Sequence, residues 1–403
     1  MVIGAGMVGA ACAHYAAASG LRVAVVDRGS VAGGTTGAGE GNLLVSDKEP
    51  GPELDLALHS LRLWRELAEE LGPANVEFET KGGLVVASEE AGLAALGRFA
   101  ESQRGSGVQA EAIPAGRLHE LEPYLASGLA GGYHYPQDAQ VQPALAAAHL
   151  LRSGGIEVLA GTEVTGFDRD ADGTLRGVRT AGGGTLGCGA VVNAAGTWGG
   201  RIAELAGSAL PVLPRRGFVL VTEPLPGLIR HKVYAADYVA DVASGSAELQ
   251  SSAVVEGTAA GPVLIGASRE RVGFDRTLSV PVLRRLAAQA TALFPVLAEV
   301  RALRAYRGFR PYLPDHLPAI GPDPLVPGLF HACGHEGAGI GLAPATGQLL
   351  ARLLCGKPPE LDLAPFAPAR FAPGPTAPSE PSERADPEQA DPERADPEGT
   401  EAP

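Results

Sequence analysis

The chain opens MVIGAGMVGA, and the glycines at positions 4, 6 and 9 constrain its fold more than any other feature. A residue without Cβ at the first position permits a tight turn out of a strand. At the second it lets a phosphate approach backbone N–H groups, and at the third it lets the following helix pack close on the sheet. The flanking residues meet that requirement: 7–19 have helical composition and stop at Gly20, and LRVAVVD (21–27) is an apolar, β-branched run ending in an acid. Asp27 follows Gly9 by 18 residues, where a carboxylate can accept ribose hydroxyls. Together these describe a dinucleotide site on a strand–turn–helix–strand unit; a glycine-rich helix start in an ordinary α/β domain is the plainer alternative. The motif alone does not choose between a nicotinamide and a flavin dinucleotide. Only Met1, Val2 and Ile3 precede the first glycine, so we expect either a weakened first strand or a start that lies upstream.

A chain of 403 residues is long enough for two domains. With 45% hydrophobic and 19% charged residues it reads as globular. The net charge is −14, of which residues 377–403 carry −7, and no basic cluster occurs, so nucleic acid and anionic membranes are poor partners. Cys12, Cys188, Cys333 and Cys355 are scattered without a C-x-x-C pair, which argues against an iron–sulfur cluster, a structural zinc or any other metal site. Reduced, buried thiols suit a cytoplasmic protein. The apolar opening lacks the positive flank of a signal peptide, and no run of 18 apolar residues predicts a membrane span.

Beyond Asp27 a small-residue loop, RGSVAGGTTGAGEGN, leads into PELDLALHSLRLWRELAEELG (52–72), a long amphipathic helix. A strand is expected at 82–88, helices around 89–103 and 143–154, short strands through 156–195 with a turn at Asp172-Gly173, strands through 213–270, and helix over 280–305. LFHACGHEGAGIGLAPATGQLLARLLCG closes the ordered part as strand, glycine turn and helix. After about Pro365 the Pro/Ala/Glu-rich repeat ADPEQADPERADPEG cannot bury enough surface to offset its ordering entropy, so 366–403 is expected to be a disordered acidic tail.

Over roughly residues 1–365 the chain resembles the FAD-dependent D-amino acid oxidase and glycine oxidase family. Several separate stretches carry the likeness. The resemblance implies that Gly4, Gly6, Met7, Val8, Gly9, Asp27 and Arg28 hold the ADP half of FAD, and that Thr35, Thr36, Glu40, Gly41 and Asn42 pass the pyrophosphate and flavin. It implies Val164 of GTEV against the adenine, and Ala194, Ala195, Gly196 and Trp198 of NAAGTW near the pyrophosphate. GHEGAGIG is similar to the family's flavin-clamping turn, implying backbone contacts from Gly337, Ala338, Gly339, Ile340 and Gly341. A helix N-terminus there has its own physical reason, since free N–H groups stabilise the negative charge of a reduced flavin. The family fold implied is α/β (α+β overall), a Rossmann-like FAD-binding domain (1–78, 143–212, 308–365) with a discontinuous antiparallel-sheet substrate domain (79–142, 213–307).

YRGFRPYLPDHLPAIG (306–321) resembles the segment in which an arginine before a proline binds the substrate carboxylate, implying Arg310, with Arg307 as competitor and a structural salt bridge as the plain alternative for either. A guanidinium suits that task because it offers two parallel hydrogen bonds and keeps its charge. Tyr234 and Tyr238 are candidate helpers from VYAADYVAD; Arg215, Arg216 and Gly217 lie near the flavin face or pair with acids. His331, His335 and Cys333 are not assigned to catalysis, and FAD is expected to bind non-covalently. The implied chemistry is hydride transfer from the α-carbon of a small D- or secondary amino acid to flavin N5, with no protein base required. AGEGNLLVSDKEPGPELDLA, LQSSAVVEG and HACGHEGAGIGLAPATG are more similar to dehydrogenase-type members acting on D-hydroxyproline and its relatives, which pass electrons to partner subunits or a quinone. The alternatives are a glycine or sarcosine oxidase using oxygen, or a non-catalytic FAD-binding subunit.

Overall fold

The computed structural model describes residues 1–238 and 246–372. Val2–Ile3 forms the inner strand of a six-stranded sheet ordered 319–322, 329–333, 191–193, 2–3, 24–26, 157–159. Two residues suffice because both are buried and both neighbours are parallel, Val2 opposite Val192 on one side and Val25 on the other. The first strand is therefore as short as expected, yet fully paired. Only Ala319–Pro322 runs antiparallel, beside Leu329–Cys333.

Helix Met7–Ala18 packs against helix Gly339–Leu354 on one face of this sheet, flanked by Pro52–Leu71 and Pro143–Ser153. Small residues permit that approach: Ala10, Ala11 and Ala13 are wholly buried, and a Cβ at Gly347 would stand 2.6 Å from the Ala11 carbonyl. The three-stranded antiparallel sheet 164–169, 175–180 and 185–187 supplies Val164, Phe167, Leu175 and Val178 to a separate cluster with Ile3 and Val26.

The second large sheet has eight strands in the order 302–312, 213–224, 262–269, 250–257, 232–235, 83–87, 131–135, 111–114. It is mixed rather than wholly antiparallel, because Lys232–Ala235 and Gly83–Ala87 run parallel. Helix Val280–Leu293 covers its outer face through Leu286 and Ala290, which meet Phe218, Val255 and Ile265.

Two expectations are corrected. The helix expected over 280–305 stops at Leu293, ahead of Pro295, and residues Ala302–Tyr312 form a strand. That strand pairs along its length with Leu213–Pro224, from Leu213 opposite Tyr312 to Thr222 opposite Ala302, so a boundary at 307/308 would cut one strand in two. The packed chain also continues past 365: Phe366 is 1% exposed, and Arg370 bonds Asp315 and the Leu317 carbonyl. Residues 373–403, the rest of the expected tail, lie outside the described residues.

Phe366 belongs to the largest apolar cluster. Phe366→Ala should therefore cost about 3–5 kcal/mol, read as a lower urea midpoint at unchanged slope; a midpoint equal to wild type would show that the segment contributes nothing to the core.

Candidate active site

The glycine turn is built for close backbone approach. Gly4 has φ +110, and a Cβ on it would overlap the Ala194 carbonyl; a Cβ on Gly9 would overlap the Gly4 carbonyl. Gly6 precedes helix Met7–Ala18, whose first turn has no side-chain cap from that residue. Thr36 Oγ1 instead accepts the Met7 N–H at 2.9 Å. The Asp27 carboxylate accepts Ala5 N–H and Gly29 N–H, each at 2.7 Å, and retains lone pairs for a further donor. The Thr162 N–H donates to the Asp27 carbonyl at 2.8 Å, which brings the start of the strand at Val164 beside the acid. Trp198 stacks on Phe274 at 5.5 Å and carries Arg28 4.2 Å over its ring. Ala194, Ala195 and Gly196 thus end their strand against the glycine turn, with Trp198 and Arg28 at its outer rim.

The loop at 35–42 passes from this turn to the eight-stranded sheet. Thr35 and Thr197 both donate their hydroxyls to the Phe309 carbonyl, at 2.6 and 2.7 Å. Tyr306 reaches the Gly39 carbonyl at 3.3 Å. A Cβ at Gly308 would lie 3.1 Å from the Ala38 carbonyl, so the loop lies directly on this strand.

The turn Gly337–Gly341 stands opposite. Ser60 donates to the Gly341 carbonyl at 2.6 Å, and Trp64 Nε1 donates to the carbonyls of Ile340 and Gly341 at 3.1 and 3.2 Å. The amphipathic helix thereby fixes the carbonyls of the turn, a role its periodicity did not signal. Val8 lies 3.8 Å from the Cβ position of Gly339, so this turn also meets the first helix. His335 bonds Thr346 Oγ1 at 3.0 Å, and burial pushes its imidazole down to about 3. His331 is likewise structural, held by Asp323 at 2.8 Å and Asn193 at 3.2 Å. Burial pushes the Cys333 thiol up to about 12, leaving it a buried apolar neighbour.

Arg310 projects from the strand over Gly217, the one residue type that leaves it room, and donates to the Ser268 carbonyl at 2.8 Å. Its Cδ and Nε lie 3.6 Å from the Cβ position of Gly337, so the arginine stands against the glycine turn. No carboxylate pairs with it among the described residues. Burial, and then the neighbouring Arg269, lower its pKa from the usual guanidinium value. Arg215, opposite it on the adjacent strand, is taken up by Glu336 and by Gln250 at 2.8 Å; Arg216 is taken up by Glu270 at 2.9 Å and by Asp275. Both are structural pairs. Arg307 points away from the site, toward Arg276, Arg216 and Asp275.

The two tyrosines separate. Tyr234 is fully buried, with its hydroxyl bonded to Ser46, itself bonded to the buried Asp138, so Tyr234 supports the loop rather than lining the site. Tyr238 packs edge-on to Tyr234 at 5.1 Å and lines a small cavity with Asn42, Leu61, Gly337 and Gly341. Asp47 and Lys48 also line this cavity, and a group of charged side chains lies near Tyr238 and Asn42. Glu40 is 8% exposed, bonded to Asn42 Nδ2 at 3.2 Å; Lys232 and Glu256 pair at 2.7 Å behind it; the Arg269 guanidinium lies 5.1 Å over the Tyr238 ring. Lys232, Glu256 and Arg269 meet Glu40 and Tyr238 only through strand pairing, which local sequence does not display.

Comparison with known proteins agrees with this geometry. The family model "FAD dependent oxidoreductase" (DAO) matches residues 1–353. The hydrogen cyanide synthase subunit HcnC of Pseudomonas aeruginosa is 32% identical over 92% of this chain and 95% of its own length. Glycine oxidase of Geobacillus kaustophilus is 33% identical over 92% and 96%, and its crystal structure superposes with a TM-score of 0.83 over 92% of this chain and 98% of that one. The crystal structure of L-proline dehydrogenase from P. horikoshii superposes with a TM-score of 0.82 at 27% identity, over 92% of this chain and 96% of that one. The chain belongs to the DAO family of FAD-dependent oxidoreductases, acting on amino acid C–N bonds, and FAD is its cofactor. The residues present suit that group: Gly4 and Gly9 let the turn close against the strand end at Ala194, and the Asp27 carboxylate beside it keeps lone pairs for a ribose hydroxyl. Among the described residues no helix is long and apolar enough to cross a membrane.

Gly9→Ala should give protein that purifies without yellow flavin absorbance, since its Cβ has no space; retention of stoichiometric FAD would overturn the cradle reading. His335 titrates in the opposite sense to a stabilising pair. Its folded pKa is depressed, so the unfolded chain takes up the proton first, and stability present above about pH 6.5 is lost as pH falls toward 3. His335→Gln keeps a hydrogen-bonding partner for Thr346 and should flatten the fall in urea midpoint between about pH 6.5 and pH 4.

Proposed function

We propose that this chain oxidises the C–N bond of a small D- or secondary amino acid, with D-proline and D-hydroxyproline as the preferred type and Arg310 as the carboxylate-binding residue. The observation that carries the reading is Arg310 itself: a cation partly withdrawn from water, set between Gly217 and the Gly337 turn, with no carboxylate partner among the described residues, whereas Arg215 and Arg216 on the adjacent strand have acids. An unpaired buried charge is costly, and an incoming carboxylate offsets that cost with two charge-assisted hydrogen bonds.

FAD, when bound, supplies the acceptor for the hydride that leaves the α-carbon. The protein's part is positioning. On this reading Gly4, Gly6, Gly9, Met7, Val8, Asp27, Arg28 and Val164 hold the nucleotide half, with Ala194, Ala195, Gly196 and Trp198 at the pyrophosphate. Thr35, Thr36 and Glu40–Asn42 lie along the flavin, and the turn from Gly337 through Ala338, Gly339 and Ile340 to Gly341 presents N–H groups at the start of a 16-residue helix. Those N–H groups favour negative charge developing at the flavin's pyrimidine end. Tyr238 and Asn42 bound the cavity and keep it small. Arg310 fixes one end of the substrate so that its α-hydrogen has a single direction, the kind of orientation that can contribute several kcal/mol.

Similarity to a glycine oxidase along nearly the whole chain supports a second arm, glycine or sarcosine as substrate with oxygen as acceptor. Anaerobic mixing with D-hydroxyproline, D-proline, glycine, sarcosine and D-alanine separates the two. Bleaching of the flavin by the cyclic pair first, and recovery of colour with a quinone faster than with air, is the expected result; recovery that requires an added subunit would identify a protein acceptor. An oxidised flavin in the presence of all five would sink the enzyme reading. Arg310→Met should weaken the productive amino acid about 10²-fold or more while Arg310→Lys recovers part of the loss, because one point charge replaces a fork.

A further inference from the structure

We propose that Glu40 is the residue that binds the substrate's amino group and takes up its proton, so that Glu40 and Arg310 together form a recognition pair for a zwitterion; this rests on the amino acid reading above. Glu40 is 8% exposed, and its Oε1 has no hydrogen-bond partner although it is buried. The neighbouring Asn42 Oδ1 is a second buried acceptor in the same condition. Orphaned buried acceptors are uncommon, and two side by side call for a donor, which an ammonium group provides with two or three N–H bonds.

The position of Glu40 sets the scale. Its Oε1 lies over Gly266, where any Cβ would overlap it, and Arg310 Nη1 is bonded to the carbonyl of Ser268, two residues further along the same strand. Two residues span at most about 7 Å. An α-amino acid carries its carboxylate and its nitrogen on one carbon, so one small molecule can reach both of these neighbouring positions with charge-assisted hydrogen bonds. A carboxylate on Arg310 therefore leaves its amine at Glu40.

The surroundings hold Glu40 ready for the exchange. Burial and the Glu256 carboxylate raise its pKa, while Lys232, Arg310 and the amide of Asn42 oppose that rise. Tyr238 and Tyr306 face it as neutral phenols, each with its pKa raised first by burial. Lys232 and Glu256 pair at 2.7 Å, and Glu256 also accepts the Gly41 N–H, which fixes the backbone next to Glu40. In the step, one N–H bond of the substrate ammonium breaks and an O–H bond forms on Glu40. The amine so freed keeps its lone pair for the C=N bond of the iminium product, and FAD, when bound, would supply the two-electron acceptor for the α-hydrogen that leaves as hydride.

The test uses the holoenzyme and two ligands that cannot be oxidised: 2-aminoisobutyrate, a zwitterion without an α-hydrogen, and isobutyrate, its carboxylate-only analogue. Flavin absorbance titrations should show wild type binding 2-aminoisobutyrate about tenfold or more tighter than isobutyrate, and Glu40→Gln should remove that preference while leaving isobutyrate affinity unchanged. In anaerobic bleaching, wild type should hold its rate from alkaline to neutral pH, whereas Glu40→Gln should lose about tenfold per pH unit below the pKa of the free amine. Equal affinity of wild type for the two ligands overturns the proposal without using a variant, and so does a Glu40→Gln pH profile that superimposes on wild type. Absence of bleaching in wild type by any amino acid would instead remove the amino acid reading, a result separate from either of these.

Discussion

The carbonyl oxygen of Phe309 accepts two hydroxyls, from Thr35 at 2.6 Å and from Thr197 at 2.7 Å, and the site depends on that double acceptance. Thr35 lies in the loop after strand 24–26 and Thr197 in the turn after strand 191–193, the two strands that flank Val2–Ile3. Phe309 immediately precedes Arg310 on a strand of the other large sheet. One backbone oxygen therefore fastens both edges of the glycine-turn region to the strand that carries Arg310. Each hydroxyl uses its one proton there and so cannot also donate to a phosphate, while Thr36 accepts the Met7 N–H.

The second organising constraint is the cost of burying charge. Arg215, Arg216, Lys232 and Arg269 are each 5% exposed or less, and Arg310 is partly buried among them. Most have an answer close by: Glu336 for Arg215, Glu270 and Asp275 for Arg216, Glu256 for Lys232, and the face of Tyr238 for Arg269. An ion pair in a protein interior roughly repays its desolvation only when its hydrogen bonds are complete, and a lone charge does not repay it at all. Among the described residues Arg310 has no carboxylate partner and Glu40 Oε1 has no donor, and the proposed zwitterion-binding pair rests on that uneven allocation.

The sequence was informative wherever a single local segment carries the physics. Gly4, Gly6, Gly9 and Asp27 announce a cradle because one turn and two strand ends hold them all, and Gly337–Gly341 announces a second because helix N-termini are written locally. Arg310 was singled out for a similar reason, lying before Pro311 in a short motif, and the structure sets it against the Gly337 turn. What stayed hidden depends on pairing between distant strands. Glu40 reads as a loop residue until Gly266 is placed beneath it. Tyr234 and Tyr238, four residues apart, read as equals until the first is seen bonded to Ser46 and the second lining the cavity. The helix expected through 305 failed for a related reason, since the apolar residues near 297–305 serve an eight-stranded sheet whose other members lie far off in sequence.

Arg215 and Arg216 show how one strand serves two needs. Successive side chains point to opposite faces, so Arg216 reaches the outer edge toward Glu270 and Asp275, while Arg215 turns inward beneath the glycine clamp. There the Glu336 carboxylate joins it to His316, and although burial would raise that carboxyl's pKa, the His316 hydrogen bond and the Arg215 charge together hold it below the ordinary value. Glu336 sits one residue before Gly337, with φ +47, so its backbone is committed to the turn and its side chain is committed to Arg215. An acid placed there could have paired with Arg310, which stands 3.6 Å from the Cβ position of Gly337. Because Arg215 and His316 occupy it, the nearest inward arginine has no carboxylate partner among the described residues, the condition on which its proposed role rests.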